Sequence, residues 1–202
     1  MPRFTQLLLS SRNPGKHAEI RALLRPLDII VMGPNEAGWT EEVVEDGLTL
    51  EENARKKAWA AFRATGIPSV ADDTGLFVDA LGGAPGVKSA RYAGEEQDPI
   101  ANCAKLLRAL DGVPPPERGA EFRSVLSLVG DGVDQIFVGA CQGRIALNRR
   151  GEHGFGYDPI FEIPETGRTF AEMSADEKNL VSHRGRALVL LRQFLETSSE
   201  VA

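Results

Sequence analysis

Apolar positions recur along this chain in two periods, and the switch between them marks out the elements. Residues 4–10 (FTQLLLS) read as a buried strand. Residues 11–16 (SRNPGK) form a turn that opens a helix, with Pro14 suited to its first position and Ile20, Leu23 and Leu24 forming its apolar stripe. Residues 28–32 predict a second strand, and 33–47 a loop rich in glycine and acid. Thr49-Leu-Glu-Glu52 is a capping box that starts a helix running to about Ala64. A short β-branched run then closes a strand at Asp72-Asp73, before a turn at Thr74-Gly75. Residues 76–81 are apolar and fit either period, and 82–86 are loop.

Farther on, Asp98-Pro99 caps a helix through Leu110, with Leu106, Leu107 and Leu110 facing inward. Pro114 to Pro116 break the chain. Residues 122–129 and 135–141 predict two strands joined by a turn at Asp131-Gly132, and 143–148 a third. Residues 154–159 (GFGYDP) make a rigid loop, Ser174 to Glu177 a second capping box, and 187–195 an amphipathic closing helix. Helices and strands alternate with an antiparallel hairpin among them, which favours a mixed α/β sheet over a purely parallel one.

The length of 202 residues suits a single domain with a sizeable core. A net charge of −6 argues against a nucleic-acid duplex as partner, since neutralising a phosphate backbone needs a basic face. It leaves room for a small phosphorylated ligand held by a few lysines. Cys103 and Cys141 lack metal-ligand spacing and read as buried thiols in a reducing cytoplasm. No apolar run reaches membrane-spanning length.

Five groups of residues carry candidate chemistry. In the first, Ser11, Arg12, Asn13, Pro14, Gly15 and Lys16 lie where a strand passes into a helix start; free N–H groups and the positive helix end attract anions there. The segment is not a Walker A loop, and a capped helix with a surface lysine is the plainer reading. Asn53 and Lys57, four apart, share a helix face. Asp72 and Asp73, with Glu45 upstream, offer oxygen ligands to a hard cation, and a carboxylate beside such a cation can deprotonate a water. Turn or cap aspartates are the commonplace alternative. Phe155, Gly156, Tyr157 and Asp158 put an aromatic on a fixed loop, able to stack on a base, although a core role suits Tyr157 better. Lys178, His183 and Arg184 offer donors to a base carbonyl.

Five segments, SRNPGKHAE, EDGLTLEENARKKA, VADDTGLFVDALGGAPGVKSARYAG, GFGYDPIF and SADEKNLVSHRGRAL, together resemble the inosine/xanthosine triphosphate pyrophosphatase family, in the family's order and over nearly the whole chain. The resemblance implies a single domain over residues 1–202 with an ITPase-like fold: a twisted mixed sheet flanked by helices, in two lobes with a central substrate cleft. It also implies a cytoplasmic homodimer. The implied reaction is Mg²⁺-dependent hydrolysis of ITP, dITP and XTP to the monophosphate and pyrophosphate. Glu45 and Asp73 would hold the metal, and Asp73 would also act as general base with Asp72 in support. Residues 11–16 would hold the triphosphate, Lys16 and Lys57 would neutralise its charge, and Thr74 would contact it. Phe155 to Asp158, Lys178, His183 and Arg184 would take the base.

Overall fold

The computed structural model describes residues 4–197. Their architecture is mixed α/β. The strands are β1 (Gln6–Leu9), β2 (Ile30–Met32), β3 (Ser69–Val78), β4 (Pro85–Gly86), β5 (Gly119–Gly130), β6 (Val133–Ile145), β7 (Phe161–Ile163) and β8 (Arg168–Thr169). The described residues form five α-helices: α1 (Pro14–Leu24), α2 (Leu50–Thr65), α3 (Pro99–Ala109), α4 (Ala175–Val181) and α5 (His183–Thr197). The eight strands form one mixed sheet in the order β2-β1-β3-β5-β6-β7-β8, with β4 on β3. β1 is parallel to β2 and β3, whereas β4, β7 and β8 pair antiparallel.

Two compact units make up the chain, and β3, β5 and β6 run through both. The first comprises Met1–Asp73, Ser124–Gly139 and Arg184–Ala202. Its sheet is covered on both faces. Leu7 and Leu9 of β1, Val70 of β3, and Leu126 and Leu128 of β5 pack with Ile20 and Leu24 of α1 and Leu188 and Leu191 of α5. The intervening residues turn the other way. Leu8 packs with Ala61 of α2, and Ala71 with Ala58 of α2. This is the period of two of a strand buried on both sides.

The second unit comprises Thr74–Arg123 and Ala140–His183. Its core joins Leu76, Phe122, Ile145, Tyr157, Phe161 and Phe170 to Cys103, Leu106 and Leu110 from α3 and its C-terminal cap. Both cysteines are free and buried. No helix among the described residues is long and apolar enough to cross a membrane.

Two expectations need correction. The strand carrying the carboxylates does not stop at them: β3 continues through Thr74 and Gly75 to Val78, and a 3-10 turn at Asp79–Leu81 follows. Thr74-Gly75 looked like a turn because glycine is a poor strand former. Here Gly75 is needed, since a Cβ would lie 2.8 Å from the carbonyl oxygen of Gly86 on the paired β4. Residues 143–148 are not a third strand either. Gly143 to Ile145 are the end of β6, which passes through Gly143 without a break because Phe161 and Glu162 of β7 pack directly on that glycine. The hairpin turn at Asp131-Gly132 and both capping boxes are as expected.

Candidate active site

Because β3 runs straight, Asp72 and Asp73 project to opposite faces of the sheet. Asp72 continues the Val70 side, facing α1 and α5, and Asp73 continues the Ala71 side, facing α2. The two adjacent carboxylates thus meet cations from different helices, Asp72 those of α1 and α5 and Asp73 that of α2.

Lys16 of α1 reaches Asp72, with Nζ 3.3 Å from Oδ2 and 3.1 Å from the backbone oxygen. Arg184 at the start of α5 donates from Nε to the same Oδ2 at 2.7 Å, and its Nη1 pairs with Glu19 of α1. The Ser124 hydroxyl donates to Asp72 Oδ1 at 2.8 Å. Burial alone would raise the Asp72 pKa, but Arg184 and Lys16 outweigh it and hold the carboxyl well below the usual range. The Lys16 ammonium moves down, chiefly by burial, against the opposing pull of Asp72.

On the other face, Lys57 Nζ lies 2.8 Å from Asp73 Oδ1, 3.1 Å from Glu45 Oε2 and 3.0 Å from the backbone oxygen of Asp72. Glu45 and Asp73 meet on the same Lys57 ammonium, and each carboxyl perturbs the other. Burial pushes Asp73 up to about 6; Lys57 and Lys16 oppose that rise and Glu45 adds to it. The Lys57 pKa is raised: burial would lower it, and Asp73 and Glu45 prevail. A buried carboxyl beside a second one, with its pKa near 6, is a poor structural choice and a good base, since its proton affinity is closer to that needed at neutral pH. Among the described residues no group of three His, Cys, Asp or Glu side chains gathers to hold a metal unaided. The Glu45–Asp73 pair fits Mg²⁺ even so, because that ion takes one or two carboxylates and fills its remaining positions with phosphate oxygens and water.

The residues ahead of α1 are arranged more plainly. Asn13 is the N-cap, its side chain accepting from Gly15 N at 2.9 Å and Lys16 N at 3.2 Å, and Pro14 takes the first turn. The Ser11 hydroxyl accepts from Asn13 N at 3.2 Å. Arg12 turns to the 33–47 loop, with Nη2 donating to the carbonyl oxygens of Thr40 and Glu41 at 2.5 and 3.2 Å.

A second group lies in the second unit. Lys178, buried in α4, donates to Asp158 at 2.7 Å, and its Nζ sits 4.7 Å from the centre of the half-buried Phe155 ring. Asp158 also accepts from Phe155 N at 2.7 Å, which folds residues 155–158 into a closed turn. Gly154 is required at φ +75, where a Cβ would fall 2.0 Å from Asp158 Oδ2. The His183 ring is buried and stacked on Phe122, with centroids 4.5 Å apart. Tyr157 is a core aromatic, its hydroxyl donating to the Ser89 carbonyl at 2.8 Å. Gly156 brings its carbonyl to the Cys103 thiol at 3.3 Å, and Thr74 follows Asp73 along β3, half-buried.

The fold therefore gathers Lys16, Lys57, Glu45, Asp72, Asp73 and Arg184 in the first unit, and Phe155, Asp158, Lys178 and His183 in the second. Reading the sequence missed Glu19 and Ser124. Glu19 carried a usable signal, since it lies three residues after Lys16 on the same helix face. Ser124 had none; only strand pairing brings it to Asp72, 52 residues away.

The Ham1 family profile matches residues 7–194. The chain is 52% identical over 190 residues to the dITP/XTP pyrophosphatase of Syntrophobacter fumaroxidans, covering 93% of this chain and 81% of that protein. It is 49% identical over 192 residues to the dITP/XTP pyrophosphatase of Geobacter sulfurreducens, covering 95% and 96%. Among solved structures, the HAM1 protein of Coxiella burnetii superposes with a TM-score of 0.87 at 41% identity, covering 96% of this chain and all of that one. With matches of every kind spanning almost its full length, this chain belongs to the Ham1 family.

Proposed function

We propose that this protein hydrolyses dITP, XTP and ITP to the nucleoside monophosphate and pyrophosphate. The observation that carries the reading is the Asp73 carboxyl, raised to about 6, with Lys57 bridging it to Glu45. It is supported by relatives, about half identical, that bear the name dITP/XTP pyrophosphatase.

Water attacks the α-phosphorus, a new P–O bond forms, and the bond from that phosphorus to the bridging oxygen breaks. Asp73 takes the proton of the attacking water, and a carboxyl with its pKa near 6 does so more readily than an ordinary one. Pyrophosphate leaves with extra negative charge, which Lys16 and Lys57 stabilise. Asp72 takes no proton; it keeps Lys16 and Arg184 in place. Glu45 and Asp73 would hold Mg²⁺, which when bound supplies positive charge to the phosphate oxygens. Ser11, the α1 N-terminus and Thr74 would meet the triphosphate, with Asn13 yielding its amide contacts to the stronger phosphate acceptors. Arg12 would support the loop that bears Glu45.

Phe155 would stack on the base, and Lys178, His183 and Arg184 would offer donors to the oxygen at position six. Gly156, Tyr157 and Asp158 would shape that turn. Adenine carries an amine there and would leave buried donors unpaired, at a cost of about 1–3 kcal/mol each. The chain would then act as a single domain over residues 1–202. A cytoplasmic homodimer completes the reading.

Pyrophosphate release from dITP, XTP, ITP, ATP and GTP, with Mg²⁺ and with chelator, tests this reading. Mg²⁺-dependent release confined to the first three is expected. Equal release from all five would keep the reaction and discard the base selection. No release from any would discard the reaction.

A further inference from the structure

Asn53 takes no part in the chemistry above, yet it is 1% exposed and lies one helical turn before Lys57 on the same face of α2. Its Oδ1 accepts from the Gly47 amide at 2.8 Å. Gly47 lies two residues after Glu45, at the end of a loop, residues 33–47, without helix or strand. A Cβ on Gly47 would stand 2.7 Å from Asn53 Oδ1 and 2.9 Å from Glu52 Cβ, so only a hydrogen fits there.

We infer that Asn53 is a positioning residue which, by holding the Gly47 amide, sets where Glu45 presents its carboxylate beside Asp73. The Glu45–Lys57 ion pair cannot do this alone, because a lysine ammonium accepts a carboxylate from many directions. The neighbouring contact of Lys56 with Asp46 joins two exposed side chains, and such pairs hold geometry weakly. The Asn53–Gly47 bond differs in being directional and made by a buried side chain. One face of α2 thus holds the Glu45 segment twice, through the loop backbone at Gly47 and through the Glu45 side chain at Lys57. The role of the pair as cation ligands rests on the proposed function; the latch itself does not.

The test is amide hydrogen exchange at Gly47 by NMR, with Mg²⁺ binding measured by calorimetry in the presence of a non-hydrolysable nucleoside triphosphate analogue. The proteins are full-length wild type, Asn53→Ala and Gly47→Ala. The Gly47 amide should be protected in wild type and exchange freely in Asn53→Ala. Both variants should bind Mg²⁺ about tenfold or more weakly, the worth of one buried hydrogen bond, while the analogue without metal binds within about twofold of wild type. Gly47→Ala strains the same contact from the loop side and decides the matter should Asn53→Ala fail to fold. An unprotected Gly47 amide in wild type, or wild-type Mg²⁺ affinity in the folded variants, overturns the role given to Asn53 and leaves the proposed function standing. A protected amide in a wild type that binds no Mg²⁺ overturns the assignment of Glu45 and Asp73 to the metal, and with it what the latch is for.

Discussion

Lys57 Nζ stands 2.8 Å from Asp73 Oδ1, the lysine from a helix and the aspartate from the middle of a strand 16 residues later. Lys57 is the strongest influence holding the Asp73 pKa down, against burial and Glu45. Replacing Lys57 with alanine removes that influence, so the Asp73 pKa rises further. The acid limb of kcat/KM should move to higher pH than in wild type, and kcat should fall by roughly 10²–10³-fold through loss of leaving-group stabilisation. A pH–rate profile of both proteins at fixed Mg²⁺ measures this. An unmoved acid limb would separate Lys57 from Asp73.

The same raised pKa makes Asp73 costly to the metal-free fold. Its folded value of about 6 exceeds the ordinary aspartate value of about 3.9, so the folded state holds this proton more tightly than the unfolded chain. Stability is therefore lost as pH rises from about 4 through about 6, and the loss persists above. Asp73→Asn should stabilise the metal-free protein at pH 7.5 by about 2–3 kcal/mol, with no such gain below pH 4, while abolishing turnover. Urea unfolding of both proteins at the two pH values reads the difference. A variant less stable than wild type at pH 7.5 would contradict the pKa assignment.

Asp72 behaves oppositely. Its folded pKa is depressed, so its stabilising contribution is full above the ordinary carboxylate value and is lost as pH falls below it. Arg184→Ala leaves Asp72 buried with only Lys16 as charged partner. It should destabilise the protein by about 3–5 kcal/mol at neutral pH, and by clearly less at pH 3, where the carboxyl left with Lys16 alone can protonate more readily. Equal losses at both pH values would show that packing, rather than the ion pair, is what Arg184 contributes.

Phe155 is half-buried, its ring covered by Lys178. If it stacks on the base, Phe155→Leu should raise KM for dITP by about 5–100-fold, the worth of one base-aromatic stack, with kcat nearly unchanged. Steady-state kinetics with dITP and XTP measure it. A fall in kcat at constant KM would assign the ring to the chemistry instead.

What the sequence determined by itself was local. The capping boxes at Thr49 and Ser174, the hairpin turn at Asp131-Gly132 and the apolar periods all depend on bonds and spacing within a few residues. The motifs around Asp72-Asp73 and Ser182-His183-Arg184 were equally legible, and they led to the family. Only the tertiary structure decided that the two aspartates face opposite sides of a continuous strand, because that requires knowing that β3 goes on past Gly75. It alone brought Arg184 to Asp72 across 112 residues, and to Glu19 across 165. Nothing near a buried charge in sequence states its partner, since desolvation is repaid by whichever opposite charge the packing of strands and helices delivers.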